Sequence, residues 1–227
     1  MNLPLLFLSN GMPAILETPI TFVLLIMTGI TSYQAMTNYD LKAKLIFNAA
    51  IIQERKEWYR FWSHGLIHGD WVHLAVNMFV LYQFGSVVEL VFKMHFGPLG
   101  SLYYLLLYGL GLAAASLFSF FKHRHNYAYN ALGASGAVSG IVFAYILFLP
   151  TSKLSFIFLP FLEIPAVIMG VGYLIYSQVM SKRGRDNIGH DAHFWGAVWG
   201  FFFTAALDYH LLINFWIQVT TPAMWGF

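Results

Sequence analysis

Three groups of polar residues stand beside or within long apolar stretches, where polar side chains are costly and usually serve a function. The first group leads into the second apolar stretch, the second group opens the fourth, and the third group opens the sixth. Their members are His64, His68, His73 and Asn77; Gly133, Ala134, Ser135, Gly136 and Ser139; and His190, Asp191 and His193. A serine, a histidine and further hydrogen-bond donors are the residue types that nucleophilic acyl transfer needs.

Ser135 and His193 are the candidate nucleophile and base. The fourth stretch carries a G-x-x-x-G pair directly after Ser135, and the sixth carries another at Gly196 and Gly200. Such pairs let two helix backbones approach closely. His193 shares a helix face with Gly196 and Gly200 because the spacing is i, i+3, i+7. A close crossing of the two helices would therefore bring His193 within hydrogen-bond distance of Ser135, the arrangement that activates a serine hydroxyl.

His73 and Asn77 are candidate donors to an oxyanion. Their i, i+4 spacing places both side chains on one face of a helix. The backbone N–H of Ser135 is a third candidate, because a residue at a helix start has no partner within the helix. Three donors of this kind would stabilise the tetrahedral intermediate of acyl transfer.

Other interpretations of the same residues are open. A serine in a membrane helix most often bonds its own backbone, and a lone buried histidine is most often a core residue. A metal-dependent hydrolase could use His64, His68, His190 and His193, since the first two have zinc-ligand spacing. The sequence has no H-E-x-x-H motif, however, and a zinc site leaves GASG without a role. A channel or transporter is disfavoured because the polar residues cluster at one end of the spans.

The elements that position these residues follow from composition. The chain has 227 residues, of which 59% are hydrophobic and 10% charged, against about 25% charged in a typical soluble domain. It has no cysteine, which excludes disulfides and thiolate metal sites, and no basic block that would suggest nucleic acid. We expect an all-α polytopic membrane bundle of six transmembrane helices in a single domain, 1–227. The predicted spans are 18–36, 71–92, 98–121, 132–149, 154–176 and 192–207.

Successive spans alternate in direction, so the starts of spans two, four and six lie at one membrane face. All three polar groups are thereby brought to a similar depth. Residues 37–70 mix aromatic and charged side chains, which predicts a loop in the membrane interface. Residues 211–227 are too short an apolar run for a span, and we expect a helix extension or an interfacial segment. The first residues lack the Lys or Arg of a cleavable signal peptide, so the first span is expected to be retained.

At these residues the sequence resembles the rhomboid intramembrane serine proteases in their six-span bacterial form. The resemblance runs from YRFWSHGLIHGDWVHLAVNMFVLYQFGSVVE through NALGASGAVSG to HDAHFWGAVWG. The H-x-x-x-N, G-x-S-G and A-H-x-x-G-x-x-x-G elements occur in the family's order. A lone G-x-S-G is a weak signal, whereas the ordered set is specific.

The resemblance implies that Ser135 is the nucleophile and that His193 is the general base and acid. It implies that His73, Asn77 and the amide of Ser135 form the oxyanion hole. The supporting positions that it implies are His64 and His68, beside the site and its water, and the close-packing glycines Gly133, Gly136, Gly196 and Gly200. The implied partners are transmembrane protein substrates and the lipid bilayer, with no cofactor and no metal. The implied location is a cell membrane crossed several times, the bacterial inner membrane. A catalytically inactive relative that only binds membrane proteins is a further alternative, disfavoured because Ser135 and His193 are both present.

The sequence departs from the family at Ser139. Many rhomboids carry an aromatic residue there, four positions after the nucleophile, which stacks on the catalytic histidine. The ring of His193 must then be oriented from elsewhere, by Phe194, by Trp195 or by a hydrogen bond. Asp191 lies about 200° round the helix from His193 and faces away, which favours a dyad over a triad. The fifth span resembles the family's mobile lateral gate, and its prolines and glycines predict loose packing.

The charged residues and the resemblance disagree on membrane orientation. Ten of the twelve Lys and Arg precede spans two, four and six: Lys42, Lys44, Arg55, Lys56, Arg60, Lys122, Arg124, Lys182, Arg183 and Arg185. The positive-inside tendency would place that face, and the site, in the cytoplasm. The family places it outside, with cytoplasmic termini. We expect the family's orientation, because half of these charges belong to the loop that lies in the interface.

Overall fold

The computed structural model describes residues 15–156, 159–183 and 189–221. Predictions that concern the first 14 residues, Arg185 and residues 222–227 lie outside this part of the chain. The described helices are α1 (Pro19–Thr37), α2 (Tyr39–Leu45), α3 (Ala49–Arg55), α4 (Arg60–Ser63), α5 (Trp71–Val80), α6 (Ser86–Phe96), α7 (Gly100–His123), α8 (Ser135–Phe148), α9 (Ala166–Arg183), α10 (His190–Leu207) and α11 (His210–Thr220).

Helix α1 is tied to the bundle by a buried carboxylate. Glu89 on α6 accepts hydrogen bonds from the backbone N–H groups of Ile20 and Thr21 at 3.1 and 2.8 Å, and from the hydroxyl of Thr21 at 2.8 Å. Lys93, one turn further along α6, neutralises Glu89 at 3.1 Å. The first turn of a helix has N–H groups without partners in the helix, so this carboxylate both satisfies them and fixes the position of α1.

Residues 37–70 form a folded unit that packs on α7. Phe47, Ile52 and Phe61 make a small apolar cluster with Phe120 of α7. Arg60 is buried; its guanidinium donates to the carbonyl oxygens of residues 43 and 46 at 2.8 and 2.7 Å and pairs with Glu57. This segment is therefore held by its own core, which fixes the loop that carries the first group of polar residues.

Helices α5, α6 and α7 correspond to predicted spans two and three. The helix continues from α5 through a π turn at Leu81–Gly85 into α6. The chain reverses at Gly97, whose φ of 59° lies in the left-handed region that glycine tolerates. Because of this reversal, Phe92 of α6 packs edge-on against Tyr104 of α7, with ring centroids 6.4 Å apart.

Helix α8 is the centre of the bundle, with nearly all of its side chains buried. It packs against α7 and α10, and the main apolar core lies between these helices and α6. A helix buried on all sides can be apolar and small-residue-rich throughout, as α8 is. The second polar group lies at the N-terminus of this central helix, where Ser135 remains partly exposed.

The predicted fifth span, 154–176, is wrong in its first half. Residues Lys153–Phe156 and Leu159–Pro165 form two antiparallel strands, β1 and β2, and the helix α9 begins only after Pro165. The fold is therefore mostly helical and not all-α. A short apolar run rich in Phe, Ile and Leu fits a strand as well as a helix, and Pro165 disfavours helix in the residue before it. Lys153 and Glu163 are exposed on the paired strands, with Nζ of the lysine 3.6 Å from Oε2 of the glutamate.

The predicted tail is a separate short helix, α11, bent by 114° from α10. Two described helical stretches are long and apolar enough to cross a membrane, Pro19–Thr37 and Trp71–His123, and the bent pair α10 and α11 would make a third. Helix length and composition alone therefore do not confirm six spans. Helix α8 and most of α9 are apolar but shorter.

Candidate active site

Ser135 and His193 lie side by side where α8 and α10 both begin. The Nε2 atom of His193 is 2.7 Å from the Oγ atom of Ser135. Ser135 is the first residue of α8, and His193 lies in the first turn of α10, where its backbone N–H bonds to the carbonyl of Gly189 at 3.1 Å. A hydroxyl at this distance from an imidazole nitrogen can transfer its proton as it attacks.

The two helices come together through their glycines. A Cβ added to Gly196 would overlap the carbonyl oxygen of Gly136, and one added to Gly200 would overlap the carbonyl oxygen of Gly140. A Cβ at Gly140 would in turn lie 3.0 Å from the oxygen of Gly196. Larger residues would force the backbones apart, so the distance between nucleophile and base depends on these glycines.

The residues before Ser135 form a tight loop. Gly133 has a φ of +112°, a conformation that side-chain-bearing residues rarely adopt, and it is closely covered: an added Cβ would lie 2.7 Å from Cε1 and 2.9 Å from Nε2 of His73. Its N–H donates to the carbonyl oxygen of His64 at 2.9 Å. Gly133 thus lets the ring of His73 approach the backbone next to Ser135.

His68 holds this loop by a hydrogen bond to its backbone. Its Nε2 accepts a hydrogen bond from the N–H of Ala134 at 3.4 Å, so its Nδ1 carries the proton and donates to Ser32 Oγ, 2.9 Å away. Ser32 in turn donates to the carbonyl of Leu66 at 2.9 Å. His68 is fully buried, and this burial lowers its pKa to about 3, so the ring is neutral, as the chain of bonds requires.

His64 supports the same loop from the side of α7. Its Nε2 lies 3.0 Å from the hydroxyl of Ser116, and Phe47 packs edge-on against its ring at 5.6 Å. Burial lowers the pKa of His64 to about 4, so it too is neutral at physiological pH. His64 and His68 therefore hold the loop that presents Ser135.

His73 and Asn77 lie on α5, whose first turn is capped by Asp70. The carboxylate of Asp70 accepts from the backbone N–H of His73 at 2.8 Å. The amide nitrogen of Asn77 donates to the carbonyl oxygen of His73 at 2.9 Å, which uses one of its two N–H groups. Asn77 is buried one turn beyond His73. The ring of His73 lies against Gly133, whereas Asn77 is deeper along the same face.

Asp191, two residues before His193, is bonded to groups on other helices. Asp191 pairs with Lys122 of α7 at 2.9 Å and accepts a hydrogen bond from Ser181 of α9. The rings proposed to orient His193 pack on other rings. Trp195 stacks on Phe118 at 5.8 Å, and Phe194 packs on Trp195 at 5.4 Å.

The ring that does stack on His193 belongs to Tyr173 of α9, with centroids 6.0 Å apart and an interplanar angle of 23°. The sequence reasoning missed Tyr173, Ser32 and Ser116. A polar residue within a predicted span is a candidate for a functional role, and Ser32 and Ser116 both meet that criterion. Tyr173 carries no comparable signal, because aromatic residues are common in this chain.

The four histidines of the metal alternative are not gathered together. His64 and His68 are bonded to the serines described above, and the rings of His190 and His193 are 5.8 Å apart. Within residues 15–156, 159–183 and 189–221, no three His, Asp or Glu side chains are grouped to hold a metal ion. The described geometry gives the metal alternative no support.

Comparison with known proteins covers the part of the chain that carries this site. A family model described as the Rhomboid domain matches residues 55–210, which include every candidate site residue. The RHOMBOID-like protein 12, mitochondrial, of Arabidopsis thaliana is 31% identical over 146 residues, which cover 57% of this chain and 40% of that relative. The match thus spans less than half the length of the relative. The chain belongs to the rhomboid family.

Proposed function

We propose that this protein is an intramembrane serine protease that cleaves transmembrane segments of other membrane proteins. The observation that carries the proposal is the 2.7 Å contact between Ser135 Oγ and His193 Nε2, made between helices that are held together by glycine. Membership of the rhomboid family supports the same activity. The dyad needs no cofactor, and the lipid bilayer is its working environment.

In the proposed reaction, Ser135 Oγ attacks the carbonyl carbon of the scissile peptide bond and His193 Nε2 takes the hydroxyl proton. The resulting oxyanion would accept hydrogen bonds from the N–H of Ser135 and from His73 and Asn77. His193 then returns its proton to the leaving amine as the C–N bond breaks. A water molecule, deprotonated by the same Nε2, hydrolyses the acyl-enzyme and restores Ser135.

We propose six membrane spans for this domain. The reversal at Gly97 supports this number, because it divides the stretch Trp71–His123 into two antiparallel helices of about bilayer length. Helices α1, α8, α9 and α10 would supply the other four. The burial of Arg60 inside the first loop supports an external site, because a paired and buried guanidinium is not a free cytoplasmic charge. The bacterial inner membrane stays a prediction.

The test is labelling with a fluorophosphonate probe and cleavage of a transmembrane substrate by the protein purified in detergent. Ser135→Ala should abolish labelling, and His193→Ala should reduce cleavage by at least about 10³-fold, because nucleophile and base act as a unit. His190→Ala is the matched control: it removes a neighbouring histidine on the same helix and should cost far less.

Three results would contradict the proposal. Cleavage that persists in Ser135→Ala would exclude the serine mechanism. Activity that is lost with a chelator and restored by zinc would favour the metal alternative. Folded wild-type protein that neither labels nor cleaves, while it still binds membrane proteins, would identify an inactive relative.

A further inference from the structure

Tyr173 links α9 to both helices of the dyad. Its ring stacks on His193 of α10, and its hydroxyl oxygen lies 2.6 Å from the Oγ atom of Ser139 on α8. Ser139 occupies the position where many rhomboids have the aromatic residue that packs on the catalytic histidine. In this chain the aromatic ring reaches the histidine from a different helix, and the serine at the usual position binds the hydroxyl of that ring.

The available hydroxyl protons determine which group donates in each of these hydrogen bonds. The hydroxyl of Ser139 donates to the carbonyl oxygen of Ser135 at 2.8 Å, which uses its one proton. Tyr173 must therefore donate to Ser139. The resulting chain runs from Tyr173 through Ser139 to the backbone of the nucleophile, while the ring of Tyr173 covers the base.

Helix α9 is attached to the bundle by one stripe of residues. Ala166, Gly170 and Ser177 are buried along the face that carries Tyr173. On the opposite face Val171 and Ile175 are exposed, which suits contact with lipid. Tyr173 is the member of this stripe that reaches the dyad, so its contacts exist only while α9 stays packed against α8 and α10.

We propose that Tyr173 is a positioning residue that orients the imidazole of His193 and thereby replaces the aromatic residue that the family carries on the nucleophile helix. The inference rests on the proposed function, because it assigns Tyr173 a role through the base. Orientation of the base would then depend on the position of α9. A substrate segment that displaces α9 would meet a fully oriented base only after α9 returns.

The experiment moves the aromatic ring from one helix to the other. Tyr173→Ala should lower kcat for a transmembrane substrate by about 10- to 100-fold, with KM little changed, because a misoriented base slows the chemical step without removing a substrate contact. Tyr173→Phe keeps the ring and should lose less. The double variant Ser139→Tyr with Tyr173→Ala places the ring on α8, as in the family, and should regain most of the lost kcat.

The controls separate this role from a structural one. Ile175→Ala, on the exposed face of the same helix, should leave kcat and thermal stability unchanged. Ser139→Ala and Tyr173→Phe each remove the same hydrogen bond, and combining them should cost no more than either alone. These two variants keep the inference testable if Tyr173→Ala does not fold.

Two outcomes overturn the inference while leaving the dyad intact. One is Ser135-dependent labelling at the wild-type rate in folded Tyr173→Ala. The other is a raised KM with unchanged kcat, which would make Tyr173 a substrate contact. Failure of the proposed function looks different, because wild-type protein would then show no labelling that depends on Ser135.

Discussion

Helices α8 and α10 cross with backbone against backbone, whereas α9 meets α8 through the ends of side chains. At the first crossing an added Cβ at Gly200 would overlap the carbonyl oxygen of Gly140. At the second, a Cβ at Gly170 would lie 2.7 Å from Cδ1 of Ile146, and Gly172 faces open space. The first contact cannot adjust without moving a helix, but the second can adjust by a change of rotamer.

The difference separates two requirements of the proposed enzyme. The distance between nucleophile and base must be fixed, and a backbone crossing fixes it. A substrate segment must also reach the dyad through the bundle wall, and a helix held by side-chain ends can shift with little cost. The stretch from β1 through α9 therefore gives the site an adaptable side, next to the rigid crossing that carries the dyad.

The largest expected effect comes from placing a methyl group in the rigid crossing. Gly200→Ala should lower the free energy of unfolding by about 3 kcal/mol or more, because the neighbouring atoms are backbone and cannot rotate away. The helices must separate, so cleavage should fall by on the order of 10²-fold or more. Thermal unfolding in detergent and the cleavage rate measure both effects. A variant with wild-type stability and activity would show that the crossing is not rigid.

A second prediction concerns pH and the histidine that anchors the loop before Ser135. His68 has a pKa of about 3 when folded, against about 6.5 in the unfolded chain. Below pH 6.5 the unfolded state therefore holds the extra proton, and stability falls as pH decreases. We expect a loss of about 2 kcal/mol from this residue between pH 7 and pH 5. His68→Gln keeps hydrogen-bonding groups but does not titrate, so its pH dependence should be weaker by that amount. An identical slope in the two proteins would refute this assignment.

A glycine-to-alanine substitution on the adaptable side, where α9 meets α8, should be mild. Gly170→Ala meets the end of the Ile146 side chain and the ring edge of Phe143, which lies 3.4 Å from the added Cβ. These groups can move by a few tenths of an ångström, and alanine favours the helix. The net change in stability should stay within about 1 kcal/mol. If Gly170→Ala were as damaging as Gly200→Ala, the contrast between the two crossings would be lost.

The smallest effect is expected at Gly172, where an added Cβ has open space. Gly172→Ala should raise stability by about 0.4–1 kcal/mol, because alanine has less conformational freedom to lose on folding. Thermal unfolding measures the change, and the cleavage rate reports whether α9 needs the freedom of that glycine. A destabilised variant would indicate that α9 approaches other groups at this point.

The parts of the fold that the sequence predicts are those governed by local rules. Glycine spacing predicts the close crossing of α8 and α10, and the expected alternation of spans predicts that the polar groups lie together. The hairpin of β1 and β2 before α9 could not be predicted, because its apolar run fits a strand as well as a helix. The contact between Tyr173 and His193 could not be predicted for a different reason. It depends on where the whole of α9 packs, and no residue spacing in the sequence specifies that position.

The length of α8 has a consequence for water. Its 14 residues span about 21 Å, whereas the hydrocarbon core is about 30 Å thick. Exposed Lys153 and Glu163, shortly after its C-terminal end, mark that end as the one near an aqueous surface. Ser135 would then be submerged about 10 Å below the opposite surface. In the proposed reaction, each water molecule that completes hydrolysis must therefore travel from the headgroups to the depth of Ser135.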